Sequence, residues 1–246
     1  MILLFTDFGL EGPYIGQMKA VLLQQAPGVG LIDLFSDVPP YDAKGAAYLL
    51  AAYSHGFPEE SVFLCVVDPG VGSARKGVVV RADDRWYVGP DNGLFNVVAR
   101  RAGTVQWWDI DWCPERLSAS FHGRDLFAPV AARLARGEAP PGVLQDPSFR
   151  VDREWPDDLA QVVYIDRFGN VMTGIRASVL GPDAMLALNG HCLKRARTFS
   201  DVPPGAGFWY ENANGLAEIA VNQGRADQCL GAKAGDPVAV LPVAQP

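Results

Sequence analysis

The chain opens on an unbroken apolar run, Ile2 to Phe5, and similar short runs recur at Leu31 to Phe35 and Val62 to Val67. Runs of this length, bounded by turn residues, read as strands, the first of them buried in a sheet. Between the first two the period lengthens. Pro13 sits where a helix would start, and Tyr14, Met18, Val21 and Leu22 form an apolar stripe that ends before Gly28. Ala43 to Tyr53 reads as a second helix, Asp91-Asn92-Gly93 leads into a third through Val98, and Leu126 to Arg136 makes a last one. Val78 to Arg81, Trp86 to Val88 and Val105 to Ile110 add further strands. This alternation predicts an α/β domain over residues 1–150, a mixed sheet flanked by helices.

The pattern changes at Gly137. Residues 137–149, GEAPPGVLQDPSF, are rich in Pro and Gly and aperiodic, as a linker would be. Beyond Trp155-Pro156 the helical period is lost and short strands follow. They are expected at Val162 to Ile165, Val171 to Ile175, Met185 to Leu188, Cys192 to Thr198, Phe208 to Glu211, Leu216 to Val221 and Pro237 to Leu241. Phe168-Gly169-Asn170, Asn189-Gly190 and Asn214-Gly215 supply turns between several of them. Residues 151–246 are therefore expected to form a small all-β domain, antiparallel and barrel-like.

Composition narrows the class. With 49% hydrophobic and 20% charged residues, the 246-residue chain has the makeup of an ordinary globular protein. A net charge of −7 disfavours nucleic acid, which needs a basic face. No stretch approaches the ~20 apolar residues of a membrane span, and MILLFTDFG lacks the basic start of a secretory signal. The four cysteines, Cys65, Cys113, Cys192 and Cys229, include no C-x-x-C pair, which argues against zinc and against a disulfide framework. A cytoplasmic protein with reduced thiols is expected.

Three acids stand where apolar strands stop: Asp7 after Ile2 to Thr6, Asp68 after Val62 to Val67, and Asp166 after Val162 to Ile165. Strand carboxyl ends are where open α/β sheets bind ligands. An Asp there can chelate ribose hydroxyls or hold an ammonium group, or it can simply open a turn. Asp68 is followed by Pro69-Gly70 and, seven residues on, by Arg75, which reads either as its partner or as a solvated surface charge. Of the three histidines, His122 has the informative setting, just ahead of the last N-domain helix. A helix N-terminus offers free N–H groups and partial positive charge, so an imidazole there could take a proton or hold a water, or merely occupy a capping loop. His55 and His191 read as loop residues. Tyr41, Phe121 and Phe199 could sandwich a purine or belong to the core. No G-x-S-x-G elbow, dinucleotide fingerprint, P-loop or H-E-x-x-H pattern is present.

Seven blocks recur in order along nearly the whole chain: LFTDFG at 4–9, YIGQMKA at 14–20, VVDPGVGSAR at 66–75, GPDNGLF at 89–95, FHGRDLFAP at 121–129, YIDRFGNV at 164–171 and ENANGLAEIAVN at 211–222. Together they resemble the S-adenosylmethionine (SAM) hydroxide adenosyltransferase family, adenosine-forming SAM hydrolases related to the SAM-dependent fluorinase and chlorinase. The resemblance implies hydrolysis of SAM at ribose C5′ to adenosine and L-methionine, with Asp68, Arg75 and His122 handling the water. It further implies that Asp7 grips the ribose hydroxyls, Tyr41 and Phe121 wall the ribose and sulfur, and Asp166 binds the methionine ammonium. Asn170 would read the adenine edge and Phe199 stack on it, while Asn212 falls in the segment holding the methionine carboxylate. Ala213 departs from the family's usual serine there, and Asn214 stands where a larger residue is often found. SAM is the substrate, and no cofactor or metal is implied. The family forms trimers with sites between the N-domain of one subunit and the C-domain of the next. In the halogenating relatives the position of Asp68 is not acidic and that of Gly123 carries a serine, so hydrolysis is favoured. The alternatives are a non-catalytic SAM or adenosine sensor and a halide-dependent SAM lyase.

Overall fold

The structure is a computed structural model and describes residues 1–151 and 154–241. The chain divides near residue 153 into two compact units, with the short piece Ala51–Tyr53 grouped with the second.

The first unit runs β1 (Ile2–Thr6), α1 (Tyr14–Gln25), β2 (Leu31–Phe35), α2 (Ala43–Tyr53), β3 (Val62–Val66), β4 (Gly77–Ala82), β5 (Arg85–Pro90), α3 (Asn96–Arg101), β6 (Val105–Ile110), α4 (Ala128–Ala135) and β7 (Gly142–Gln145). The strands form one mixed sheet in the order β2-β1-β3-β5-β4-β6-β7, parallel from β2 to β5 and antiparallel beyond. β1 and β3 are interior strands with every residue buried, which is why they carry continuous apolar runs. Ile2, Leu4, Val62 and Leu64 share one hydrophobic cluster with Met18 and Leu22 of α1 and Val130 and Leu134 of α4. α2 starts where the Asp42 side chain accepts the Gly45 N–H at 2.8 Å.

Two expectations change here. The run read as an aperiodic linker contains β7, which pairs antiparallel with β6 from Trp107↔Gln145 to Ile110↔Gly142. Its four residues bury no face, with Val143 52% and Leu144 59% exposed, so hydrophobic pattern could not mark it. The last helix also begins earlier than its apolar stripe. A π-turn, Gly123–Phe127, runs directly into α4.

The second unit contains β8 (Leu159–Ile165), β9 (Val171–Arg176), β10 (Met185–Leu188), β11 (His191–Leu193), β12 (Gly207–Glu211), β13 (Leu216–Val221), a single turn of helix α5 (Ala226–Cys229) and β14 (Ala239–Leu241). Two antiparallel sheets result, β12-β13-β9-β8 and β11-β10-β14. Among the described residues, only the single bridges Gln161↔Pro237 and Arg195↔Trp209 join their edges, in place of the continuous ladder expected of a barrel. The strand expected over Cys192 to Thr198 is cut short at Leu193, and a 3-10 turn, Phe199–Asp201, follows. No helix among the described residues is long and apolar enough to cross a membrane.

Candidate active site

From β1 the sheet is extended on one side by β2 and on the other by β3, so the crossovers diverge at the β1/β3 boundary. Such a switch point leaves a crevice at the strand carboxyl ends. A cavity of about 300 Å3 occupies it, lined among others by Asp7, Tyr41, Asp68, Phe121 and His122. Five residues singled out in the sequence, spread over more than a hundred positions, thus share one cavity.

Asp7 directly follows β1, and its N–H donates to the Val66 carbonyl at 3.4 Å, tying the ends of β1 and β3 together. Its Oδ2 accepts the Tyr41 N–H at 3.1 Å. Tyr41 delivers that donor from a left-handed backbone, φ 67°, while its ring stays 76% exposed at the cavity edge. A bulky residue pays on the order of 1 kcal/mol for this conformation, and such strain gathers at ligand sites. Burial raises the Asp7 carboxyl above the usual aspartate value, and the Tyr41 bond opposes the rise.

Asp68 stands two residues past β3 with its side chain only 6% exposed. Its Oδ1 accepts the Gly70 N–H at 3.1 Å and forms an ion pair with the Arg75 guanidinium. A Cβ at Gly70 would lie 2.8 Å from Arg75 Nη1, so a larger residue there would displace the guanidinium. Arg75 does not itself line the cavity; it reaches the site through Asp68. His122 occupies the N-terminal flank of the π-turn, a backbone irregularity that often marks functional sites. The Phe121 ring beside it meets Phe8 at 5.9 Å and Tyr14 at 5.4 Å between centroids, and the Arg124 guanidinium covers it at 5.0 Å.

In the second unit a wider pocket of about 700 Å3 is lined by Asp166, Asn170, Phe199, Tyr210 and Glu218, among others. Asp166 closes the β8–β9 hairpin: its two oxygens accept the Asn170 N–H at 2.9 Å and the Asn170 side-chain amide at 3.0 Å. The Phe199 ring stands edge-on to Phe208 and Tyr210, at 5.1 and 5.4 Å. Asn212 lies behind the pocket wall. Its Oδ1 accepts from Asn214 and Leu216 N–H, each at 3.0 Å, and its amide donates to Glu218 Oε2 at 2.9 Å. Asn212 therefore shapes its turn with every polar atom it has.

Residues 2–144 match the sequence profile of the SAM hydroxide adenosyltransferase N-terminal domain, and residues 160–239 that of the C-terminal domain. This chain belongs to the SAM hydroxide adenosyltransferase family. A protein of Thermus thermophilus named (R)-S-adenosyl-L-methionine hydrolase is 41% identical, over 96% of this chain and 97% of its own. One of the same name from Salinispora arenicola is 38% identical, over 96% of this chain and 95% of its own. The crystal structure of a conserved Thermotoga maritima protein superimposes with a TM-score of 0.87 at 34% identity, covering 98% of this chain and 100% of that one.

Within this member of the SAM hydroxide adenosyltransferases, several site residues escaped sequence reasoning. Asn92 donates its amide to the Val67 carbonyl at 2.7 Å, fixing the peptide just before Asp68. Its motif, GPDNGLF, is visible in the sequence, but nothing there says that it abuts β3. Tyr210 and Glu218 form the second pocket's acid pair, the phenol donating to Glu218 Oε1 at 2.5 Å. Burial lifts the Glu218 carboxyl above its usual value, against the bonds from Tyr210 and Asn212. A lone acid in a strand buried along its whole length was the available signal. Among the described residues no group of three His, Cys, Asp or Glu side chains is placed to hold a metal ion.

Proposed function

We propose that this chain hydrolyses S-adenosyl-L-methionine to adenosine and L-methionine. The observation that carries this reading is the Asp68–Arg75 pair set on the same switch-point cavity as His122, in a SAM hydroxide adenosyltransferase. A water oxygen bonds to ribose C5′ as the C5′–S bond breaks. The bond pair leaves with sulfur, the sulfonium becomes the neutral thioether of methionine, and a water proton departs through His122 to solvent. Water is a poor nucleophile, so what the site contributes is position and proton acceptance. Arg75 acts on the water through Asp68, which lines the cavity, and His122 takes the proton. Because charge is cancelled as hydroxide character meets sulfonium, a cavity that excludes bulk water favours the transition state.

The substrate is gripped as the resemblance implies. Asp7 takes the ribose hydroxyls, and Tyr41 and Phe121 wall the ribose and sulfur. Asp166 takes the ammonium. Asn170, whose amide N–H is already given to Asp166, offers its carbonyl oxygen to the adenine amino group. Phe199 stacks on the base, worth about 1–3 kcal/mol. The Asn212 turn presents the carboxylate subsite. SAM is the substrate and no cofactor is required. The assembly we propose is a homotrimer in which one copy supplies the first-unit contacts and a neighbour the second-unit contacts.

The test is incubation with SAM in low-chloride buffer, with nucleosides followed by liquid chromatography and mass spectrometry. Adenosine and methionine in equal amounts are expected. Arg75→Ala and His122→Ala should each lower kcat by about a hundredfold or more with little change in KM. SAM bound but intact over hours would instead mark a sensor, and 5′-chloro-5′-deoxyadenosine formed only with chloride a halide-dependent lyase.

A further inference from the structure

The loop that carries Asp68 and Arg75 is tied to itself along its length and held at both ends by one dipeptide. Within it, the Gly70 N–H donates to Asp68 Oδ1 at 3.1 Å, the Ser73 N–H to the Gly70 carbonyl at 3.1 Å, and the Arg75 N–H to Ser73 Oγ at 3.3 Å. At its tip a Cβ on Gly72 would lie 2.5 Å from the Ala119 carbonyl oxygen, so the loop seats closely against the chain just ahead of His122. A loop bonded in this way moves as one body, and its placement is decided where it leaves the sheet and where it rejoins it. The turn after β5 serves both points. Asn92 Nδ2 donates at 2.7 Å to the carbonyl of Val67, the residue before Asp68. The Asp91 N–H donates at 3.1 Å to the carbonyl of Lys76, the residue after Arg75. This turn is itself fixed. Asn92 Oδ1 accepts the Leu94 N–H at 3.3 Å, and Arg150 links the Asp91 carboxylate, at 3.1 Å, to Asp109 of β6, at 2.6 Å.

We propose that Asn92 is a positioning residue for the reaction: its side-chain amide sets the peptide between Val67 and Asp68, and with it the direction in which the Asp68–Arg75 pair meets the cavity. Val67 is fully buried, so its carbonyl cannot turn to bulk water when that donor is removed. The peptide has to rotate toward another donor, and Asp68 is carried with it. The Asp91 bond is made by the main chain and survives a side-chain substitution, which leaves Asn92 as the removable half of the clamp. The kinetic consequence rests on the hydrolase reading; the structural one does not.

Two substitutions separate the bond from the bulk of the side chain. Asn92→Asp keeps the shape and the acceptor for the Leu94 N–H, but as a carboxylate it has no hydrogen to give Val67. Asn92→Ala loses both. Each should lower kcat by about ten- to a hundredfold with KM nearly unchanged, the scale of a misplaced catalytic group. In an Asp68→Asn background neither should cost anything further, because the group it acts through is gone. Wild-type kcat in Asn92→Asp would overturn the proposal, as would losses that multiply in the double variants. A second readout, amide hydrogen exchange followed by mass spectrometry, needs no turnover. Residues 68–76 should exchange about tenfold faster in Asn92→Asp than in the wild-type protein, with β1 exchanging at the wild-type rate. Exchange unchanged over 68–76, or raised equally in β1, would overturn the proposal even if the wild-type protein released no adenosine, whereas absence of adenosine alone would sink only the hydrolase reading.

Discussion

At Asp7 the fold and the proposed task pull in opposite directions. Burial favours the protonated carboxyl, while accepting two ribose hydroxyls needs the carboxylate. Binding must therefore expel a proton wherever Asp7 is still protonated. Affinity should be full above the raised pKa and fall as pH drops through it, toward the ordinary aspartate value. Stability runs the other way. A carboxyl whose folded pKa exceeds its unfolded one destabilises the fold once ionised, and this cost sets in as pH rises between the two values. Asp7→Asn should thus flatten the pH dependence of adenosine affinity, weaken binding at neutral pH, and raise the melting temperature slightly. Titration calorimetry and thermal melts across pH 4–8 read both effects; a variant that binds less tightly and also melts lower at neutral pH would refute the argument. Asp7, Asp68 and Asp166 were legible because each ends an apolar run. Asn92 was not, since the Val67 carbonyl it fixes lies 25 positions away.

The elements that place these acids depend on close backbone contacts that no hydrophobic pattern records. At Gly89, β5 runs so near β3 that a Cβ would lie 2.2 Å from the Cys65 carbonyl oxygen and 3.0 Å from the Phe95 ring. Backbone cannot yield there without moving the strand that leads into Asp68. Gly89→Ala should accordingly cost at least about 2 kcal/mol, measured as a lowered urea midpoint. Gly181→Ala, which faces open space, should stay within about 0.5 kcal/mol. Equal midpoints for the two variants would show that the close approach relaxes freely. The same limit explains β7 and the π-turn ahead of α4. The central strands announce themselves because both their faces are buried, whereas β7 buries neither and the π-turn is set by its join to α4. The switch-point cavity followed from strand order, and its acids from the apolar runs; the Asn92 bond that fixes the peptide before Asp68 needed the fold.

At the scale of the whole molecule, the proposed contacts fall into two groups. Asp7, Tyr41, Asp68, Phe121 and His122 line the cavity of the first unit, and Asp166, Asn170 and Phe199 the pocket of the second. In the proposed binding mode SAM meets both groups at once, and a homotrimer would let neighbouring copies each supply one. Cyclic symmetry then makes a sharp demand, because every site in the ring would combine a first unit and a second unit from different chains. Two inactive variants, His122→Ala and Asp166→Ala, should rescue each other when unfolded together and refolded as mixed oligomers. A site whose first unit comes from an Asp166→Ala chain and whose second comes from a His122→Ala chain is wild type throughout. Random assembly from equal amounts produces such sites in about a quarter of cases, so about a quarter of wild-type turnover should return. If each chain instead completes its own site, every site in the mixture carries one of the two lesions, and turnover stays at the level of the separate variants whatever the mixing ratio.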